Sequence, residues 1–216
     1  MPELGGLRNR PGRRAIARTP QSIVDRSPLC PYQRAPSERV SLFRTVLRLM
    51  SLATAQTPPS IVTERPEDAP LVEALVLRAF GPGRYAKAAE RLREGRTPLY
   101  DLSFVAFDGG RLVGCAQQWN VKVGDTQAIL FGPIAVEPAY RHHGLGSALT
   151  ERACDAAASA GHRLIVLVGD MPLFGPLGFV PAPAVRMPGP VDQRRVLVRA
   201  LAPGAADGLE GLVGAA

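Results

Sequence analysis

Between Thr126 and Val168 the hydrophobic period of the chain changes twice, and this leaves few folds open. Thr126 to Val136 is rich in Ile, Leu, Phe and Val, the composition of a strand. Gly144 to Ala160 is alanine-rich, with Leu145, Leu149 and Ala153 aligned at helical spacing and Thr150, Glu151 and Asp155 assigned to other faces. Gly161 stands where a helix ends in a left-handed residue. Arg163 to Val168 (Arg-Leu-Ile-Val-Leu-Val) is then a continuous apolar run, as in a strand buried on both faces. A helix between two such strands is a β-α-β crossover, so the strands are expected to lie parallel.

Upstream the pattern is one of hairpins. Leu102 to Phe107 and Arg111 to Trp119 read as strands joined by Asp108-Gly109-Gly110, and Gly124-Asp125 marks the next turn. Ser60 to Glu64 is a short β-rich run. Glu67 to Phe80 has helical spacing at Leu71, Leu75, Val76 and Phe80, Gly81-Pro82-Gly83 ends it, and Arg84 to Glu94 reads as a second helix. The expectation is an α/β fold of one domain over 59–203, a mixed sheet with antiparallel N-terminal strands and a parallel β-α-β pair. A last strand falls near Arg195 to Leu201, and 204–216 reads as a flexible tail.

Charge separates the remainder. Residues 1–49 hold ten arginines against three acids (Glu3, Asp25, Glu38), which equals the chain's whole net charge of +7. The sixteen basic and sixteen acidic residues of 50–216 cancel, so the body lacks the basic footprint that nucleic-acid binding requires. The segment 1–58 is rich in Pro and Arg and short of hydrophobic periodicity, the composition of a disordered extension. Three readings stay open for it: a targeting sequence with an amphipathic helix at Leu42–Met50, an arm for nucleic acid or another anionic surface, or a start assigned ahead of a true initiator at Met50. Cys30, Cys115 and Cys154 form no framework, which suits free thiols and a cytoplasmic location. His142, His143 and His162 form no metal pattern, and no apolar run reaches membrane-spanning length.

The chemistry concentrates in the stretch from Phe131 to Leu149. A strand turns at Pro138 and passes a loop with two glycines directly into a helix, whose first-turn N–H groups lack partners and carry partial positive charge. Glycines let that backbone approach an anion, so the loop suits a phosphate. It is neither a Walker loop nor a dinucleotide fingerprint.

Arg141-His142-His143-Gly144-Leu145-Gly146 resembles the acetyl-CoA signature of the GNAT superfamily of N-acetyltransferases, Arg or Gln followed by x-x-Gly-x-Gly or Ala. Ile134-Ala135-Val136 before it and Leu177-Gly178-Phe179 after it extend the resemblance over roughly 60–201. Val168-Gly169-Asp170 and Pro188-Gly189-Pro190-Val191-Asp192 look like a bacterial subgroup of undefined substrate. The resemblance implies acetyl-CoA as cosubstrate and an amine as acceptor, handled by a monomer or homodimer. It also implies that the backbone of Arg141, His142, His143, Gly144, Leu145, Gly146 and Ser147 holds the pyrophosphate. Ile134, Ala135 and Val136 would part from the parallel neighbour to receive pantetheine as an added strand, with a backbone N–H polarising the thioester.

Direct transfer needs a neutral amine. For a lysine-type group of pKa ~10.4 that costs roughly 4 kcal/mol at neutral pH. Gln127 to Val136, where relatives often carry a carboxylate, holds no acid. Glu137 and Asp170 remain as candidates, Asp170 with the alternative of capping the turn Met171 to Pro176. The superfamily's usual thiolate acid, a Tyr four residues before the Gly-Phe pair, is Phe174 here. Solvent, Tyr100 or Tyr140 could supply that proton instead, or the chain could be a non-catalytic acyl-CoA-binding module. Gly81 to Arg84, Gln117, Gln118 and Trp119 are candidate acceptor linings. Trp119 as core and Arg84 as a surface charge are the plainer alternatives, and Cys115 and Cys154 read as packing residues.

Overall fold

The structure, a computed structural model, describes residues 58–216, so the readings of the basic arm, including a helix at Leu42–Met50, fall outside the described residues. The sheet begins with β1 (Ser60–Thr63), paired antiparallel to β2 (Phe104–Asp108). β3 (Arg111–Val123) returns against β2, with Asp108 opposite Arg111 and two glycines between them. Gly109 and Gly110 sit at φ 54° and 83°, a conformation that two-residue hairpins require and that glycine reaches without a Cβ clash. β4 (Thr126–Val136) follows around Gly124-Asp125.

The crossover is as expected. The helix α3 (Leu145–Ser159) links β4 to β5 (Leu164–Val168), and the two strands are parallel. α3 is the third helix, after α1 (Ala69–Phe80) and the short α2 (Ala88–Arg91). β8 (Val196–Ala200) lies antiparallel to β5 and also pairs with the short β6 (Val180–Pro181). The helices occupy both faces of this mixed sheet. Leu145, Leu149 and Ala153 of α3 pack with Ala106, Val113, Ile165 and Leu167. Val72, Leu75 and Val76 of α1 pack on Val105 and Cys115 from the other side, beside Ala88 and Leu92 on Val121 and Val166. Alternation along each strand produces the two layers: Ile165 and Leu167 face one way, Leu164 and Val166 the other. α3 approaches the sheet closely at Gly114, where a Cβ would lie 2.9 Å from Leu149 Cδ1.

Four expectations need correction. The segment 84–94 is not a continuous helix but a 3-10 turn (Pro82–Ala86) and the single turn of α2. The stretch is bounded by Gly83 and Gly95, and its shape is set by tertiary contacts at Ala88 and Leu92, which override helix propensity. In α1 the inward stripe is Val72, Leu75 and Val76, while Leu71 and Phe80 are 49% and 41% exposed. Thr150 faces inward rather than outward, since its hydroxyl donates to the Gly146 carbonyl one turn back at 2.7 Å. The C-terminal segment is not a loose tail, because β9 (Gly211–Ala215) pairs with Val121–Val123 of β3 and with β7 (Val185–Arg186). β3 outruns the short β2, and its far edge would otherwise present unpaired backbone groups. Arg96 secures this corner through donations to the carbonyls of Asn120 and Ala216.

Among the described residues no helix is long and apolar enough to cross a membrane, and no cluster of His, Cys, Asp or Glu is arranged to hold a metal ion.

Candidate active site

The parallel strands meet over only two residue pairs, Ile129 with Ile165 and Leu130 with Val166, and then part. Beyond Leu130 the edge of β4 toward β5 has no strand partner among the described residues. A cleft of about 420 Å³ opens there, walled by Phe131 to Ile134 on one side and Leu167 to Asp170 on the other. β4 changes register at the same place: Ala116 pairs with Ile134 and Gln118 with Phe131, so Gly132 and Pro133 together face Gln117. Gly132 takes φ 123°, and Pro133 has no ladder donor to lose. Trp119 fixes the bulge by donating its indole N–H to the Gly132 carbonyl at 2.9 Å.

At the end of β4 the chain enters a 3-10 helix (Pro138–His143) and reaches α3 through Gly144 at φ 74°. The first intrahelical donor is Ala148, bonded to the Gly144 carbonyl at 3.0 Å. The amides of Leu145, Gly146 and Ser147 therefore form an opening turn without intrahelical acceptors. His142 and His143 lie inside the 3-10 helix, whose i to i−3 bonding engages backbone amides, and their imidazoles are exposed. The Arg141 guanidinium donates to the Val136 carbonyl at 2.9 Å, tying the loop to the end of β4.

A second cavity, of about 310 Å³, adjoins the cleft and shares Arg84, Glu90, Arg93 and Pro133 with it. Of the expected acceptor linings, Arg84, Gln117 and Trp119 line this cavity, whereas Gly81 to Gly83 line neither it nor the cleft. Arg84 is buried rather than a surface charge, bonded through Nη2 to both Glu73 oxygens at 2.7 Å and 3.5 Å from Glu90. Trp119 is at once core and lining. Gln118 points to the opposite face, donating to the carbonyls of Leu102 and Ala153, and leaves the candidate set. Glu64 also lines the cavity, and sequence reasoning missed it. It is 2% exposed, with one carboxylate oxygen accepting from Gln117 Nε2 at 2.7 Å and the other buried without a partner among the described residues. Burial pushes its pKa up to about 7, against the lowering effect of the Gln117 hydrogen bond and with a further small rise from nearby Asp68. In the sequence Glu64 is one acid at the end of a short apolar run, and nothing local marks it as buried.

The pattern of the Acetyltransferase (GNAT) family matches residues 71–176. The chain is 32% identical over 158 residues to a protein of Escherichia coli K12 described as the uncharacterized N-acetyltransferase YhbS, covering 71% of this chain and 93% of that one. The chain belongs to the GNAT family of acetyltransferases. The crystal structure of the E. coli YhbS GNAT N-acetyltransferase in complex with CoA superposes with a TM-score of 0.64 at 30% identity, over 74% of this chain and 90% of that one. A GNAT acetyltransferase of Brucella melitensis in complex with acetyl-CoA gives 0.57 at 25%, over 73% and 96%.

The acid–base groups of this GNAT domain differ from the expected set. Glu137 lies outside the cleft, clasped at 2.8 Å by Arg78 and 3.4 Å by Arg111. The Arg78 hydrogen bond holds its carboxyl below the usual range, and Glu137 joins α1 to the β2–β3 hairpin as an ion pair. Asp170 does line the cleft, but Arg195 spans its two oxygens at 3.0 and 3.3 Å. Its side chain makes no cap bond to the four-residue helix α4 (Met171–Phe174) that follows. Phe174 stands in the cleft wall, edge-on to Phe179 at 5.7 Å, against Gly169, where a Cβ would meet its ring at 2.3 Å. Tyr140 is no substitute acid, because its hydroxyl is given to Asp108, which raises its pKa. Cys115 and Cys154 are buried free thiols pushed up to about 12 and about 11 by desolvation, which excludes them as nucleophiles at neutral pH.

Proposed function

We propose that this chain moves an acetyl group from acetyl-CoA to a primary amine by direct transfer in the cleft between β4 and β5. One observation carries the reading: the two parallel strands part at Leu130 and Val166, and the β4 edge freed there leads to an α3 opening turn with three unengaged amides. Related GNAT structures hold CoA and acetyl-CoA, which supports the same cosubstrate here.

Each part of the cleft has a role that follows from its chemistry. The amides of Leu145, Gly146 and Ser147 donate to the pyrophosphate, aided by the positive end of the fifteen-residue helix. The neighbouring backbone of Arg141 to Gly144 shapes this cradle, with the Arg141 side chain holding it to β4. Ile134 to Val136 offer backbone groups to the pantetheine amides as a further strand would. An N–H on that edge stabilises charge developing on the thioester oxygen. Acetyl-CoA supplies the activated acyl group and a thiolate leaving group. Phe174 supplies no proton, so the cleft wall acts by excluding water.

Calorimetric titration with CoA tests the reading, together with thiol release from acetyl-CoA across a panel of primary amines. The expected result is stoichiometric binding and amine-dependent release. Gly146→Asp, which sets a negative charge among the three amides, should weaken CoA binding by at least tenfold, whereas no heat from CoA with the native chain would end the proposal. Phe174 favours one second reading, a non-catalytic acyl-CoA-binding module. CoA binding without thiol release from any amine would establish it.

A further inference from the structure

The geometry points to Glu64 as the group that takes the proton from the acceptor ammonium, with the amine seated between Gln117 and Pro133. This inference rests on the amine-acetylation reading above. Three independent features converge on it. Glu64 leaves β1 with its amide bonded to the Ser103 carbonyl at 2.8 Å, which carries its side chain under α1 to Gln117, the residue facing the Gly132-Pro133 bulge. The cavity that holds this carboxylate lies against the transfer cleft, since Arg84, Glu90, Arg93 and Pro133 line both.

The second feature is an incomplete hydrogen-bond set. A purely structural buried carboxylate has both oxygens satisfied, since a bare one is costly in an apolar surround. Here Gln117 serves one oxygen, and the other is buried beside the cavity with no partner among the described residues. An ammonium is the donor that completes it. The neighbouring carboxylates are already taken: Glu73 by Arg84 and Tyr85, and Glu90 by Arg93 and Arg84. The third feature is an exit. Glu64, Pro98 and Tyr100 also line an open groove on the β1 side, formed by residues 62–66 and 98–102 with Ala160 and His162, so a proton received from the cavity can pass to solvent there.

The step balances without an acid from the cleft. The ammonium gives one proton to Glu64, and the neutral nitrogen forms the C–N bond to the acyl carbon. As the C–S bond breaks, the second nitrogen proton goes to the departing thiolate, and Glu64 releases its own proton to water. The products are the amide, CoA thiol and one proton. A carboxylate raised to about 7 is half ionised at neutral pH and matched to this task. The charged and titratable groups around it are Asp68 from the turn before α1, Glu73 from α1, Arg84, Glu90, Arg93 and Arg96 from the following segment, Tyr100, Cys115 from β3, and Arg65, Asp101 and His162 on the groove side.

The test uses the full chain with acetyl-CoA and a panel running from n-butylamine and ethanolamine to lysine methyl ester, read as kcat/KM from pH 5.5 to 9 beside the calorimetric Kd for CoA. The native chain should show a rising limb centred near pH 7. Glu64→Gln should remove that limb and lower kcat/KM by about 10²-fold, with the Kd for CoA within about twofold of native. Gln117→Leu removes the hydrogen bond that favours the ionised form, so its limb should move to higher pH, which a structural role for Glu64 would not produce. An unchanged rate and profile in Glu64→Gln, or an unmoved limb in Gln117→Leu, overturns the base assignment and leaves acetyl transfer standing. Absence of thiol release by the native chain overturns both.

Discussion

A half-satisfied carboxylate at 2% exposure should register in stability as well as in rate. The folded pKa of Glu64, about 7, lies above the ordinary value of 4.5. The folded state therefore binds more protons between these limits, and the sign follows from linkage. The contribution of the neutral carboxyl is fully present below pH 4.5 and is lost as pH rises through about 7. Converted at about 1.4 kcal/mol per unit, the swing is about 3 kcal/mol. Glu64→Gln, neutral at every pH, should gain most of that amount relative to the native chain, about 2–3 kcal/mol, between pH 5 and 8. Urea denaturation at the two values measures it, and a constant difference would show that the carboxylate is better solvated than its burial implies.

At the scale of elements, the docking of α3 decides where the opening-turn amides point. The approach depends on Gly114, where a Cβ would press to 2.9 Å from Leu149 Cδ1 and 3.3 Å from Leu145 Cδ2. Both leucines belong to the packed layer beneath the helix. Gly114→Val should cost about 1–3 kcal/mol, as overpacked cores do. By displacing the helix it should also weaken CoA binding, which thermal melts with and without CoA would reveal. The same scale shows what was legible. Leu145, Leu149 and Ala153 announced the buried face of α3 because three local positions at helical spacing suffice. Thr150 did not, because its hydroxyl is satisfied by Gly146 of its own helix and so pays little for turning inward. The segment 84–94 has helix-forming residues, but its shape is set by what Ala88 and Leu92 pack against.

For the molecule as a whole, the sheet is closed at one corner by its last strand. β9 covers the β3 edge that β2 leaves open, buries Val213, and is tied by Arg96. Ending the chain at residue 208 should lower the melting temperature and promote association through the bared edge, read by scattering during a thermal ramp. Gly211 to Ala215 gave no local sign of this pairing, being short and glycine-flanked, so only its distant partner makes it a strand. The crossover, both hairpins and the glycine loop were written locally, in changes of hydrophobic period and in residues that alone tolerate particular turns. From these the amino-acid order by itself determined the mixed sheet and the glycine loop that opens into α3, while the parting of β4 from its parallel neighbour was an expectation of the resemblance carried by Arg141 to Gly146. The tertiary structure alone brought Glu64 to Gln117 across 53 residues, set Glu137 against Arg78 and Arg111, and buried Arg84 between two acids. Burial and charge pairing are properties of neighbours distant in the chain, and a carboxylate's chemistry is decided by those neighbours.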